Sequence, residues 1–401
     1  MRVSHSVVRG SEMRRRDFLR TIGPLALGAV RGRAADRNRT VVFICMDGCD
    51  PAYLKLSDVP NLKRMMASGM YREGHCVMPS VTNVNNSSIA TSCFPREHGI
   101  TGNYYYDRAT AKGTYMESPE FLLRPTIFEK AKAAGFRTAF LSSKGKLLEL
   151  LRKGADIAAA AEQAPTDLQK FAGPQADVYS ADLNYWTFRA ARHVLRSGYN
   201  FLYLSTTDYM MHTYAPDQAP SQEHMHEVDK LLGAIVDDHP NIEIYMSADH
   251  AMNAKSKAVD LGRLLGREGI TAEAVPIIKD RYVMHAQNLG GSSYIYVKNS
   301  KDLDKTVSVL RRHPAVEQIY SNEEAASKFM LKADRIGDLL VVAKKDYVVG
   351  DLDTVEQDIK VRSHGSLHEL TVPILCYGRK VNPADYEYNF DITRRFNFDA
   401  D

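Results

Sequence analysis

The chain has 401 residues, 44% hydrophobic and 25% charged, enough for one large domain with an insertion or for two, and unlike a disordered or collagen-like composition. The formal charge of +3 is set at the amino terminus, where the first 34 residues hold eight arginines against Glu12 and Asp17; the remainder, with 44 basic and 47 acidic residues, carries −3. A slightly acidic chain with no basic stripe among aromatics is not built for a nucleic-acid polymer.

Arg14-Arg15-Arg16-Asp17-Phe18-Leu19-Arg20 precedes a short apolar stretch, Thr21 to Val30, and Gly32-Arg33-Ala34 offers small residues for a signal peptidase. Residues 1–34 are therefore expected to be a twin-arginine-type signal that takes the folded protein through the twin-arginine machinery to the periplasm. A basic tail and an Arg-rich transit peptide share this composition. The apolar stretch is too short to remain as a membrane span.

From Thr40 onward, short β-branched runs alternate with helical stretches. Strands are expected at Val41–Met46, Thr138–Leu141, Phe201–Ser205, Ile242–Ser247 and Val372–Tyr377. Helices are expected at Pro60–Gly69, Ser87–Thr91, Ile127–Ala134, Leu183–Arg196 and Gln222–Asp238. This rhythm implies an α/β fold, a mostly parallel sheet with helices on both faces. Val275–Met284, Ser293–Val297, Leu339–Ala343 and Tyr347–Val349 read as strands with Gly-rich or charged connections. Residues 259–350 are accordingly expected to be an inserted α+β cap, with 40–258 and 351–401 forming the core. Cys45, Cys49, Cys76, Cys93 and Cys376 have no zinc-ribbon spacing and read as small buried residues.

The chemistry-bearing residues stand where strands end. Asp47 follows the first strand, Asp208 and His212 follow Phe201–Ser205, Asp249 and His250 follow Ile242–Ser247, and His364-Gly365 precedes the last strand. Ligands of open α/β sheets bind beyond the carboxyl ends of the strands, so these residues are expected to converge. Three aspartates and three histidines suit a pair of zinc ions, which in hydrolytic enzymes lie about 3.5–4 Å apart. The candidate nucleophile is Thr82, in Pro79-Ser80-Val81-Thr82-Asn83-Val84-Asn85-Asn86 just before a helical run. A helix amino terminus there would present free N–H groups to a phosphoryl anion.

Asp47, Thr82, Asp208-x-x-x-His212, Asp249-His250 and His364-Gly365 occur in the order and context of the alkaline phosphatase superfamily, which the chain resembles over about residues 40–380. Pro95-Arg96-Glu97-His98-Gly99-Ile100-Thr101-Gly102-Asn103 looks like its nucleotide pyrophosphatase/phosphodiesterase branch. Thr82-Asn83-Val84-Asn85-Asn86 with Gly102-Asn103-Tyr104-Tyr105 looks more like the phosphonoacetate hydrolases. The resemblance implies two Zn2+ ions, one held by Asp47, Thr82, Asp249 and His250, the other by Asp208, His212 and His364. It implies that Asn103 donates to the substrate and that Lys144 and Lys146 meet a small anionic phosphonate or phosphate ester. The implied reaction is cleavage of the C–P bond of phosphonoacetate through a phosphothreonine at Thr82. An exported phosphodiesterase using the same metals is the alternative. A non-catalytic exported binder would not need Thr82. A homodimer remains open.

Ser92-Cys93 departs from the resemblance, since relatives commonly have Gly after Ala-Thr. His368 rivals His364, and family context favours His364. His98 reads as structural, His224 and His226 as surface residues of an exposed helix, and Asp229 as a structural partner on that helix.

Overall fold

The computed structural model describes residues 39–108, 110–281 and 285–398. The expected signal at 1–34 lies outside them, as does the end of the expected strand Val275–Met284.

The main sheet has seven strands: β1 Thr40–Cys45, β2 Met70–His75, β3 Thr138–Ser142, β4 Ile157–Ala160, β5 Phe201–Ser205, β6 Ile242–Ser247 and β7 Thr371–Tyr377. Their order across the sheet is β2-β7-β6-β1-β5-β3-β4. The run from β6 to β4 is parallel throughout, while β7 is antiparallel to both its neighbours, β6 and β2. A parallel sheet needs cover on both faces, and β1 shows it. Val41, Phe43 and Cys45 pack into one core with the helices Thr82–Thr91 and Ile127–Ala133. Val42, Ile44 and Met46 pack into a second core with Asp182–Arg196 and Ala219–Asp238.

The α/β sheet expected from the sequence is thus present, with β2 as an addition. Its sequence, Met-Tyr-Arg-Glu-Gly-His, lacks a regular apolar alternation, because as an edge strand only part of it is buried. His224 corrects an expectation: it is buried rather than on the surface, with Nδ1 3.2 Å from the Tyr185 hydroxyl. Asp229 serves as expected, accepting from Leu62 N at 2.6 Å and Asn61 N at 3.1 Å at the start of the Pro60–Ser68 helix.

Within residues 259–350, Ala272–Pro276, Ser292–Val297, Leu339–Ala343 and Val316–Ser321 form an antiparallel sheet in that spatial order. The strand expected over Val275–Met284 stops at Pro276. Asp280 N donates to Asn288 Oδ1 at 2.7 Å, which turns the chain away from the ladder. A separate three-stranded sheet joins Tyr347–Val349 to Asn253–Val259 and Glu356–Ser363, tying both ends of the segment to the core. No described helix is long and apolar enough to cross a membrane.

Candidate metal centre and nucleophile

Four adjacent parallel strands deliver the site. β6, β1, β5 and β3 end level with one another, Cys45 lying opposite both Ser205 and Ser247, and Ser142 opposite Ser205. Just beyond these ends stand Asp249-His250, Asp47, Asp208 and Lys144. The antiparallel β7 begins at the same edge, so the loop that enters it brings His364 to the others. His368 turns away to Glu317 Oε2, 2.6 Å distant, so the geometry separates the two rivals.

The site is buried: Asp47, Asp249 and His250 are wholly enclosed, and Asp208, His364 and His212 nearly so. His250 Nε2 lies 3.4 Å from Asp47 Oδ1 and 3.8 Å from Asp249 Oδ2. His212 Nε2 lies 3.0 Å and His364 Nε2 3.7 Å from Asp208 Oδ2. The rings of His250 and His364 stack at 3.5 Å, inclined by 8°.

The protonation of the three imidazoles follows from their outer bonds. Nδ1 of His212 lies 2.7 Å from Arg362 O, Nδ1 of His364 lies 2.8 Å from Ser80 O, and Nδ1 of His250 lies 3.0 Å from Ala251 O. A carbonyl only accepts, so each Nδ1 carries the proton and each Nε2 turns a lone pair inward. This is the arrangement by which metal-binding histidines are usually oriented. Burial lowers the pKa of His250, and burial with the neighbouring His250 and His212 holds His364 far below the usual imidazole value, so both imidazoles are neutral.

The carboxylates carry the complementary signature. Burial, then repulsion from Asp208 and Asp249, pushes Asp47 well above its ordinary pKa. Burial raises Asp249 to about 6. For Asp208, burial acts upward but Lys144 and His212 outweigh it and hold the group well below the carboxylate range. The buried atoms Asp47 Oδ1 and His212 Nε2 have no hydrogen-bond partner; His212 Nε2 is close to Asp208 Oδ2 without the alignment of a hydrogen bond. Converging carboxylates and inward lone pairs are a donor set suited to cations. A stand-in cation is present, for Lys144 Nζ bridges Asp208 Oδ1 at 2.7 Å and Asp47 Oδ2 at 3.2 Å. Among the described residues, one ligand atom each from Asp47, Asp249 and His250 cluster within 4.8 Å; so do those from Asp208, His250 and His364, and from Asp208, His212 and His285. The residues therefore fit bound metal.

Thr82 is the first residue of the Thr82–Thr91 helix, which starts earlier than the run expected at Ser87. Its Oγ1 lies 3.4 Å from His250 Nε2, at the edge of the first cluster. The asparagines that follow fix this helix. Asn85 accepts from Val77 N at 2.8 Å and donates to Val77 O at 3.0 Å. Asn86 donates to Asp249 Oδ2 at 3.1 Å, while its oxygen accepts from Tyr203 OH at 2.6 Å and Ser205 Oγ at 3.0 Å. Position and orientation of Asp249 are thereby coupled to the Thr82–Thr91 helix.

The expected substrate residues are placed differently from one another. Lys144 is turned onto the carboxylates. Lys146, the second residue of the Gly145–Leu151 helix, pairs with Asp280 of the 259–350 segment. Asn103 is buried with its amide oxygen unpartnered, anchored by Met116 N donating to Asn103 O at 2.9 Å. His98 is structural: its Nε2 lies 2.9 Å from Ser88 Oγ and its Nδ1 accepts from Ile100 N at 3.1 Å. Two residues at the site had no sequence signal. Asp280 and His285 sit in an irregular segment rather than at a strand end; His285 Nε2 lies 3.0 Å from Asp208 Oδ1.

Residues 41–367 match the family described as type I phosphodiesterase / nucleotide pyrophosphatase. Two structures of phosphonoacetate hydrolase from Sinorhizobium meliloti 1021 are similar over 91% of this chain and 95% of theirs. The complex with phosphonoformate is 32% identical with a TM-score of 0.81, and the complex with phosphonoacetate is 31% identical with a TM-score of 0.82. Murine ectonucleotide pyrophosphatase/phosphodiesterase 5 shares the fold, at 19% identity and a TM-score of 0.63 over 88% of this chain and 93% of that one. A venom phosphodiesterase of Crotalus durissus collilineatus is 22% identical over 245 residues, 56% of this chain. The chain spans 28% of the length of that curated relative and 24% of a pyrophosphatase/phosphodiesterase of Schizosaccharomyces pombe, which is 28% identical over 116 residues, 29% of this chain.

Proposed function

This chain belongs to the type I phosphodiesterase / nucleotide pyrophosphatase family, and from that premise we propose that it hydrolyses the C–P bond of phosphonoacetate to acetate and phosphate. The observation that carries the reading is Thr82 Oγ1, at a helix amino terminus and 3.4 Å from His250 Nε2, beside two clusters of metal-binding atoms. Asp47, Thr82, Asp249 and His250 would hold one Zn2+ and Asp208, His212 and His364 the other; bound there, the ions supply Lewis acidity that favours an ionised hydroxyl and offsets phosphoryl charge.

The chain's own groups do the rest. The helix starting at Thr82 turns its unpaired N–H groups toward an incoming anion. Asn103 donates to a phosphonyl oxygen. Lys144 and Lys146 act as point charges on the two ends of a small dianion, which requires each to exchange its carboxylate partner for substrate. Thr82 Oγ attacks phosphorus, the P–C bond breaks, and the hydroxyl proton ends, net, on the methyl carbon of acetate. Water then cleaves the phosphothreonine, releasing phosphate and restoring the hydroxyl.

Cleavage of a phosphodiester by the same residues is the second reading, favoured by the family the chain matches. Zinc-loaded protein assayed with phosphonoacetate and with an aryl nucleotide diester separates them. Phosphate and acetate in equal amounts from phosphonoacetate are expected; turnover of the diester alone rejects the C–P reading. Thr82→Ala is expected to lower turnover by roughly 10³-fold or more, and unchanged turnover would remove the covalent step.

A further inference from the structure

We infer that His285, carried by the 259–350 segment, is a positioning residue that holds Asp208 for the second metal position. This rests on the reading above that Asp208 is a metal ligand. The Asp208 carboxylate is divided between two kinds of neighbour. Its Oδ1 accepts from donors, Lys144 Nζ at 2.7 Å and His285 Nε2 at 3.0 Å. Its Oδ2 faces the Nε2 atoms of His212 and His364 at 3.0 and 3.7 Å. Those nitrogens bear lone pairs, because their Nδ1 atoms donate to backbone carbonyls. One oxygen is thus tied down by N–H groups while the other is turned toward ligand atoms.

His285 differs from His212, His250 and His364 in the feature that matters. Its Nδ1 is buried with no hydrogen-bond partner, so no backbone carbonyl sets its tautomer. Asp208 Oδ1 already accepts from Lys144 Nζ and is the acceptor in this contact too, so the proton of His285 sits on Nε2. A histidine protonated at Nε2 presents a donor to the site where a ligand would present a lone pair. The ring is kept in place by Tyr179 and Tyr209, whose rings meet it nearly edge-on at 6.2 and 6.1 Å. The side chains of His285 and Asp208 are only 6% and 3% exposed, so water does not compete for the bond. Orienting bonds of this kind, one layer outside the metal, typically contribute 10–100-fold in metal affinity.

The test is zinc titration of the metal-free full chain by calorimetry, with turnover measured in parallel. Wild type is expected to bind two equivalents and Asp208→Asn one. His285→Ala is expected to weaken one site about 10–100-fold and leave the other unchanged. His285→Gln, whose amide N–H can still donate, should recover most of that loss, whereas His285→Phe, which fills the space between the tyrosines, should not. The Phe variant also carries the test if the Ala variant fails to fold. Wild-type affinity at both sites in His285→Ala or His285→Phe, with Asp208→Asn still losing a site, overturns the inference alone. So does a Gln variant no better than Phe. Two intact sites in Asp208→Asn would overturn the ligand reading and this inference with it.

Discussion

Glu369 touches no expected metal position, yet it fixes the loop that delivers His364. Its Oε1 accepts from Lys255 Nζ at 2.8 Å and Asn253 Nδ2 at 2.9 Å, and its Oε2 from Ser366 N at 3.0 Å and Ser366 Oγ at 2.6 Å. Gly365 between them has φ of +102°, a backbone state that disfavours a side chain, and Gly291 N donates to His364 O at 2.7 Å. Burial works to raise the pKa of Glu369, but Lys255 and the hydrogen bonds outweigh it and hold it below the ordinary value. A depressed folded pKa means the unfolded chain binds the proton more readily. The stability from this group is therefore fully present above about pH 4.3, the unperturbed glutamate value, and is lost as pH falls through the lower folded value. Glu369→Gln leaves Lys255 buried without its counter-charge, and should cost about 3–5 kcal/mol at neutral pH. Chemical denaturation across pH 2–7 checks both statements: the variant should show a flatter acid limb than wild type. At this scale the sequence was informative wherever a residue followed a strand, as with Asp47, Asp208 and Asp249. It was silent on His285 and Asp280, whose positions depend on the fold of an irregular segment and leave no periodic trace.

The element that matters most is the Thr82–Thr91 helix. It ends at Ser92 with φ of +64°, in the left-handed region, where Ser92 N still donates to Ser88 O at 2.8 Å. Helices commonly close in this way with glycine, because a side chain crowds the backbone there. The Ser92 hydroxyl is in addition buried without a partner. Ser92→Gly should therefore stabilise the protein by about 1 kcal/mol, read as a higher denaturation midpoint at an unchanged slope. A lower midpoint would show that the hydroxyl has a role this geometry does not reveal. The Ser-Cys pair that departs from the family resemblance thus has a local structural meaning, a helix cap that tolerates strain. The start of the same helix was less legible. Thr82-Asn83-Val84-Asn85-Asn86 is poor in helix formers, and it is helical because Asn85 and Asn86 satisfy backbone and side-chain groups of the surrounding core. The edge strand β2 was missed for the related reason that its pairing with β7, not alternation, defines it.

For the whole molecule, ion binding and folding are linked. The site gathers residues from Asp47 to His364, and a ligand that binds only the folded chain stabilises it by RT ln(1 + [L]/Kd), about 2.7 kcal/mol when the free ion is at 100 times Kd. Zinc should accordingly raise the thermal midpoint of chelator-treated protein in a concentration-dependent way, and chelation should abolish turnover reversibly. An unchanged midpoint would argue against an intramolecular ion site. The export reading is tested separately: changing Arg15 and Arg16 together to Lys should retain the full-length chain in the cytoplasm, with processing in the double variant counting against a twin-arginine signal. The α/β architecture was readable because mostly apolar strands alternate with amphipathic helices, most clearly at Phe201–Ser205 and Ile242–Ser247. The pairing of the strands at 272–343 was not, since antiparallel partners are chosen by contacts distant in sequence.

The reversed direction of β7 has a consequence for assembly. Because this strand enters the sheet from the edge where the others leave it, His364 lies just ahead of a pairing that sets Ile374 opposite Ser247. Any species in which β7 has not yet docked therefore lacks this histidine at the edge, even with β1, β5 and β6 already formed.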